Sequence, residues 1–301
     1  MRLYNLYQID AFTDKAFWGN PAGVITNADG LTEYEMQAIA RELNNSETAF
    51  IFQADADEFD IKIRYFTPTN EVPVCGHATI AAHYARAIEL GLQKAKVNQM
   101  CGAGILPIDV MKVDNQYKIT MTQGMIEFGK IVSGQEKVAL LEALGLKAED
   151  LIENVDIQIV STGHSKVFIG VKSREKLYGL KVNHHKLKEL SEVIGSNGYY
   201  VFTINTSTDS CLIDGRMFAP AIGIDEDPVT GNANGPLGAL LVKEKLVSYE
   251  KENFRFRARQ GLGMGRLGHI DVNVLVKDDK PTGVKITGTA HIVYQTQLSL
   301  D

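Results

Sequence analysis

An α/β fold in two related halves is what this sequence predicts, and three observations carry the prediction. Short runs of strand formers alternate with helical periods along nearly the whole chain. The stretch Arg64-Tyr65-Phe66-Thr67-Pro68 through Cys75-Gly76-His77-Ala78 recurs as Arg216-Met217-Phe218-Ala219-Pro220 through Thr230-Gly231-Asn232-Ala233. Pro68 and Pro220 are 152 residues apart and Gly76 and Gly231 are 155 apart, so the second copy carries a small insertion in its turn. A repeat this long indicates two related units. In both copies glycine opens an apolar helix, and free backbone N–H groups at such a helix mouth suit a carboxylate or a developing oxyanion. The plainer reading is that the glycines only let a buried helix pack closely.

Length and composition fit that plan. A chain of 301 residues with 45% hydrophobic content is enough for two cores of roughly 150 residues each. The net charge of −6 argues against a nucleic-acid or membrane-surface partner. Cys75, Cys101 and Cys211 have no CxxC spacing, so neither a disulfide framework nor a zinc site is expected. Strand-like sequence begins at Leu3 in place of a signal peptide, and no apolar run nears 18 residues. A reduced, cytoplasmic, soluble protein is the expectation.

The elements follow in order. Leu3 to Phe12 is rich in strand formers, Trp18 to Gly23 is a turn signal, and Val24-Ile25 resumes a strand. Thr32 begins an amphipathic helix through Met36, Ile39, Ala40 and Leu43, with Glu35 as its capping-box partner. Next, Glu47 stands at the entrance of the apolar strand that runs to Phe52. It is either an exposed edge residue or a carboxylate whose pKa is raised by apolar surroundings, suited to proton shuttling. Ile61 to Phe66 reads as a strand, and the first glycine-opened helix runs to about Leu90. Gly104 to Lys112 and Tyr117 to Gln123 are strands, and Glu136 to Leu144 is a helix stopped by Gly145. Ile157 to Thr162, Lys166 to Val171 and Tyr199 to Ile204 are strands, with a helix over Leu187 to Ile194. His164, in the turn Thr162 to Ser165, either lines a site or is merely solvated. Val284 to Leu298 alternates as strands that close a sheet.

Several motifs are excluded. Gly263, Gly265 and Gly268 spell GxGxxG, but a strand follows instead of a helix, so a hairpin turn is expected and no dinucleotide site. P-loop, HExxH and GxSxG patterns are absent.

Taken together, these residues resemble the PhzF-like phenazine biosynthesis isomerases, within the diaminopimelate-epimerase-like fold, and stand closest to the YddE-type branch. The matching pieces are Asp10 to Thr13, Gly19 to Gly23, Ser46 to Phe50, both copies of the repeat, Gln260-Gly261 and Met264 to Arg266. The resemblance implies an α/β (α+β) protein of two similar domains, each a curved sheet or barrel around a central helix. The domains would be residues 1–126 and 127–285, with strands over about 286–301 returning to the first and the site in the cleft between. It further implies a homodimer and proton chemistry on a small-molecule carboxylate, without metal or cofactor. Glu47 matches the acid/base, and His77 and Asp227 match residues that hold substrate and assist. Gly76 with His77, and Gly231 with Asn232, match the carboxylate-binding mouths. Asn232 departs from the Ser common in the family.

Two rivals stand beside this isomerase. A diaminopimelate-epimerase-type racemase needs a thiol at each mouth, but the position equivalent to Cys75 is Thr230, and Cys75 is expected to be a small buried packing residue. A non-catalytic small-molecule binder is the other.

Overall fold

The computed structural model describes residues 1–205 and 210–301 of the chain. Its contacts divide into two compact units, Met1–Thr122 with Thr287–Asp301, and Gln123–Ile286. Among the described residues, no helix is long and apolar enough to cross a membrane.

In the first unit the order is β1 (Arg2–Ala11), β2 (Asn20–Ile25), α1 (Glu33–Leu43), β3 (Glu47–Gln53), β4 (Ile61–Phe66), β5 (Glu71–Val72), α2 (Gly76–Glu89), β6 (Lys94–Cys101), β7 (Gly104–Val113) and β8 (Gln116–Thr122). β1 pairs antiparallel with β2 and with the C-terminal strand Ala290–Leu300. β2 runs parallel to β3, placing Ala22 opposite Glu47, and β3 is antiparallel to β4. β4 is parallel to β6, which continues through β7 to β8 in antiparallel pairs. α2 packs against β1, β2, β3 and β8, and residues His77 to Ala85 are all buried. α1 covers a separate apolar layer formed with Tyr4, Ile25, Phe50 and Phe66.

The local signals explain these elements. Thr32 and Glu35 form the reciprocal capping box, and Asn44 ends α1 in the left-handed region. β2 starts at Asn20, inside the stretch that reads as a turn. The Asp10 carboxylate accepts the Phe17 N–H at 2.6 Å, folding the turn into residues 12–19. β6 is missing from the sequence reading because Lys94-Ala-Lys-Val-Asn-Gln-Met-Cys101 is largely polar. Its inward positions are Val97, Gln99 and Cys101, and a buried glutamine breaks the apolar alternation.

The second unit repeats this plan. It begins with β9 (Glu127–Ile131) and α3 (Gly134–Leu144), followed by β10 (Gln158–Ser161), β11 (Lys166–Gly170), α4 (Arg174–Tyr178), α5 (His184–Ile194) and β12 (Tyr199–Ile204). β13 (Ile213–Ala219), β14 (Ile224–Asp227), α6 (Gly231–Lys243), β15 (Asn253–Gln260), β16 (Gly268–Lys277) and β17 (Lys280–Gly288) complete it. β10 is antiparallel to β11, β11 parallel to β12, β12 antiparallel to β13, and β13 parallel to β15. That is the pairing sequence of β1 to β6, so the repeat read in two motifs extends through the topology. α6 packs on β10, β15 and β16, while α3 and α5 cover the apolar cluster of Leu140, Leu144, Leu187 and Val201. β15 and β16 form a hairpin around the turn Leu262–Met264, which excludes the dinucleotide fold as expected. Gly261 is left-handed, and a Cβ there would lie 2.8 Å from the Pro228 carbonyl.

Candidate active site

Two clusters form where the repeated helices begin. α2 and α6 both lack a side-chain cap at their N-cap residues, Cys75 and Thr230. Thr32, Ser173 and Asn183 do cap their helices. First-turn N–H groups have no partner within the helix, so an uncapped mouth keeps donors available to an anion.

At the first mouth, β3 delivers Glu47 and α2 delivers His77. Glu47 Oε2 lies 3.4 Å from His77 Nε2, with side-chain exposures of 15% and 7%. His77 Nε2 is also 3.2 Å from Ser46 Oγ. Glu47 Oε2 itself is buried and takes no hydrogen bond. Burial pushes the Glu47 carboxyl above the usual carboxylate range, although the Ser46 and Cys75 side chains pull the other way. A carboxyl held in this state exchanges a proton more readily near neutral pH than a solvated glutamate. The edge-residue alternative for Glu47 is thereby removed.

Cys75 belongs to this cluster as well as to the packing. Its Sγ is 3.4 Å from His77 Nδ1 and 3.9 Å from Nε2. A sulfur nearly equidistant from both ring nitrogens lies over the imidazole face, away from either lone pair. Glu47, Cys75 and His77 offer donor atoms within 4.8 Å of one another. An ion on a ring nitrogen lies in the ring plane with a Zn–S distance of about 2.3 Å, a geometry that a sulfur stacked on the face does not meet. As folded, the three residues do not fit a metal.

Below this mouth a buried polar chain runs into α2. The Thr79 hydroxyl donates to the Cys75 carbonyl at 2.6 Å and contacts the Tyr65 hydroxyl at 2.6 Å. Tyr65 accepts from Gln99 Nε2 at 2.7 Å, and Gln99 Oε1 lies 2.8 Å from His83 Nε2. Burial lowers the His83 pKa to about 4, so the ring is neutral and its Nε2–H is the donor.

At the second mouth the chemistry is different. The Thr230 hydroxyl donates to Asp227 Oδ2, which diverts it from capping α6. Gln260 Nε2 donates to the Thr230 hydroxyl at 3.0 Å and to the Asp227 carbonyl at 2.7 Å. Gln260 Oε1 accepts from the Thr230 N–H and from Asn234 Nδ2, both at 3.1 Å. Asn234 donates to the Thr230 carbonyl at 2.9 Å and accepts from the Tyr200 hydroxyl at 2.7 Å. Gly231 is buried, and its carbonyl accepts from Gln123 Nε2 at 2.9 Å. Asn232 Oδ1 is buried and takes no hydrogen bond.

The structure thus joins Glu47, His77 and Gly76 at one mouth, and Asp227, Gly231 and Asn232 at the other. Sequence reasoning gave no site role to Ser46, Gln260 or Lys166. Gln260 stood in a recognised motif, and Lys166 is a charge heading an otherwise apolar strand, which was a usable signal. His164 is half-buried, and burial together with the Lys166 charge lowers its pKa, so it is not merely solvated.

Comparisons with known proteins agree with this architecture. Residues 9–296 match the family described as phenazine biosynthesis-like protein (PhzC-PhzF). An uncharacterized isomerase of Clostridium acetobutylicum is 60% identical over the full length of both chains. The uncharacterized isomerase YddE of Escherichia coli is 44% identical over 98% of each. The trans-2,3-dihydro-3-hydroxyanthranilate isomerase of Pseudomonas aeruginosa is 29% identical, covering 93% of this chain and 94% of that one. A crystal structure of a PhzF-family protein from Bacillus anthracis superposes with a TM-score of 0.88 at 33% identity, over all of both chains. A hydroxyproline epimerase from Agrobacterium vitis shares the fold, with a TM-score of 0.64 at 14% identity, over all of this chain and 92% of that one.

Proposed function

This chain belongs to the phenazine biosynthesis-like (PhzC-PhzF) family and is an isomerase, and from that premise we propose that it moves a proton on a small carboxylated, cyclic or unsaturated substrate without a cofactor. Glu47 is the acid/base. The observation that carries this reading is its state: a buried carboxyl with one oxygen taking no hydrogen bond, raised in pKa, and 3.4 Å from an imidazole nitrogen. Such a group takes a proton from carbon and returns it to a second carbon on the same face of the substrate. His77 orients the acid and balances the charge that develops. The N–H groups at Gly76 and His77 stabilise an oxyanion, and Asp227 anchors an amino or hydroxyl group. The relative named for a cyclic amino carboxylate supports this substrate class.

Thr230 weighs against two-thiol racemisation. It stands where a second cysteine would be needed, and its hydroxyl is already committed to Asp227.

The test is NMR in D2O of trans-2,3-dihydro-3-hydroxyanthranilate and related cyclic amino carboxylates, with wild type and Glu47→Gln in parallel. Isomerisation or deuterium uptake that depends on Glu47 is the expected result. Uptake that survives Glu47→Gln would sink the mechanism.

A further inference from the structure

Lys166 opens β11, where every residue through Gly170 is buried. The lysine itself is only 9% exposed. Its stem lies in a slot over Gly198: a Cβ at that glycine would meet Lys166 Cδ at 2.4 Å and Met217 Cε at 2.5 Å. The backbone at Gly198 is not left-handed, so space and not conformation is what requires glycine there.

The ammonium carries three donors and makes one hydrogen bond, to the Ser165 carbonyl at 3.2 Å. Among the described residues no carboxylate stands in ion-pair contact with it. Asp227 is near enough to act on it electrostatically, and Met217, which flanks the stem, pairs with Asp227 between β13 and β14. Burying a cation without a counter-ion is unfavourable, and a fold serving stability alone would close that pair or replace the charge. In the first turn of α6, at the same mouth as Asp227, Asn232 Oδ1 is a buried acceptor with no donor. The second cluster therefore offers separate, unfilled sites for an anion and for a hydrogen-bond donor.

We propose that Lys166 is a ligand-reading cation. It pairs with an anionic oxygen of the substrate at the Asp227 end of the second mouth, while Asp227 and Asn232 take a neighbouring N–H or O–H. This rests on the reading of Asp227 as a substrate anchor. It narrows the substrate class to compounds that carry an acidic group close to an amino or hydroxyl group, and it makes Lys166 a specificity residue of the reaction.

The test observes Lys166 without turnover. In protein carrying 13C-labelled lysine, the Lys166 Cε resonance is identified by its loss in Lys166→Met. Anthranilate, benzoate and sulfate are then titrated in turn. The expected result is a saturable shift of this resonance with the carboxylates, and anthranilate binding at least about tenfold weaker in Lys166→Met, the loss typical of a charged hydrogen bond. Gly198→Ala, which crowds the stem and leaves the charge in place, weakens the same response. If none of the three anions moves the resonance, or anthranilate binds Lys166→Met as tightly as wild type, the proposal is overturned. Failure of the proton-transfer reading would show elsewhere, as deuterium uptake indifferent to Glu47.

Discussion

The mouths of α2 and α6 occupy equivalent places in the repeat and hold opposite kinds of chemistry. Both helices begin on glycine, both N-cap residues leave the helix uncapped, and both carbonyls at that position are clamped from one turn below, by Thr79 and by Asn234. A buried tyrosine hydroxyl completes each clamp, Tyr65 in one unit and Tyr200 in the other. On these matched frames the first mouth gathers the Glu47, Cys75 and His77 side chains, with the Glu47 carboxyl raised by burial. At the second, the Asp227 carboxylate is tied down by Thr230, which Gln260 holds in turn. A fixed, hydrogen-bonded carboxylate is suited to hold a ligand, whereas a desolvated one with an unfilled oxygen is suited to move a proton. The two frames match, and the side chains they carry differ.

The largest effect that tests this division is at Glu47. Glu47→Gln lowers turnover by about 10²- to 10⁴-fold, whereas Asp227→Asn acts mainly on KM. Steady-state kinetics on one substrate separates the two, and a pure KM effect at Glu47 would break the comparison. Stability should move the other way. Because the folded pKa of Glu47 is raised, the native state binds more protons than the unfolded chain between the two pKa values, so stability falls as pH rises through that window. The cost is absent below the unfolded value and complete above the folded one. Glu47→Gln is therefore more stable than wild type at pH 7, and denaturant midpoints at pH 4 and pH 7 check the sign.

Lys166→Met follows in size. Burial lowers this lysine from 10.5 to about 8, so the unfolded chain binds more protons between those values. The cost is full below pH 8 and is relieved as pH rises to about 10.5. Removing the charge should stabilise the protein at pH 7 by about 3 kcal/mol and abolish the rise in stability between pH 8 and 10.5. A wild-type stability that stays flat over that interval would show that the lysine is better solvated or paired than its surroundings imply.

How far this was legible from the sequence depends on how local each signal is. The capping box at Thr32 and Glu35, the left-handed stops at Asn44 and Gly145, and the glycine-opened helices are short-range patterns, and they stand where they were read. The β6 strand was not legible, because its inward Gln99 is explained only by Tyr65 and His83, which are distant in sequence. The Glu47 cluster was legible in part. Position at the head of an apolar strand suggested a raised pKa, but its contact with His77 spans 30 residues and no spacing rule reports it. Thr230 illustrates the converse: its residue type suits a cap, yet tertiary context gives its hydroxyl to Asp227.

Smaller effects probe the shared frame. Tyr65→Phe leaves Gln99 Nε2 without its acceptor and Thr79 Oγ1 without a donor, although Thr79 still donates to the Cys75 carbonyl, and Tyr200→Phe leaves Asn234 Oδ1 unfilled. Each should cost about 1–3 kcal/mol by denaturation, the usual penalty for a buried polar group left unsatisfied. Tyr65→Phe should cost the more, since two hydrogen bonds depend on that hydroxyl. Equal and negligible losses would mean that the clamps do not support the mouths.

The smallest predicted effect carries the sharpest discrimination. Cys75 is the one thiol at either mouth, and its sulfur lies over the His77 ring, out of line with both nitrogen lone pairs. A thiol placed there cannot pass its proton to the imidazole without movement, and the repeat offers no second thiol to accept one from the opposite face of a substrate. Its contribution is packing and a weak hydrogen bond to Glu47, which favours the ionised carboxylate. Cys75→Ala should therefore keep turnover within about threefold, and loss of that bond should raise the Glu47 pKa further, moving the acidic limb of the pH–rate profile upward. A fall of about 10²-fold or more with the acidic limb unmoved would identify the thiol as a proton-transfer group and return the molecule to racemase chemistry, with an acid other than a second cysteine on the opposite face.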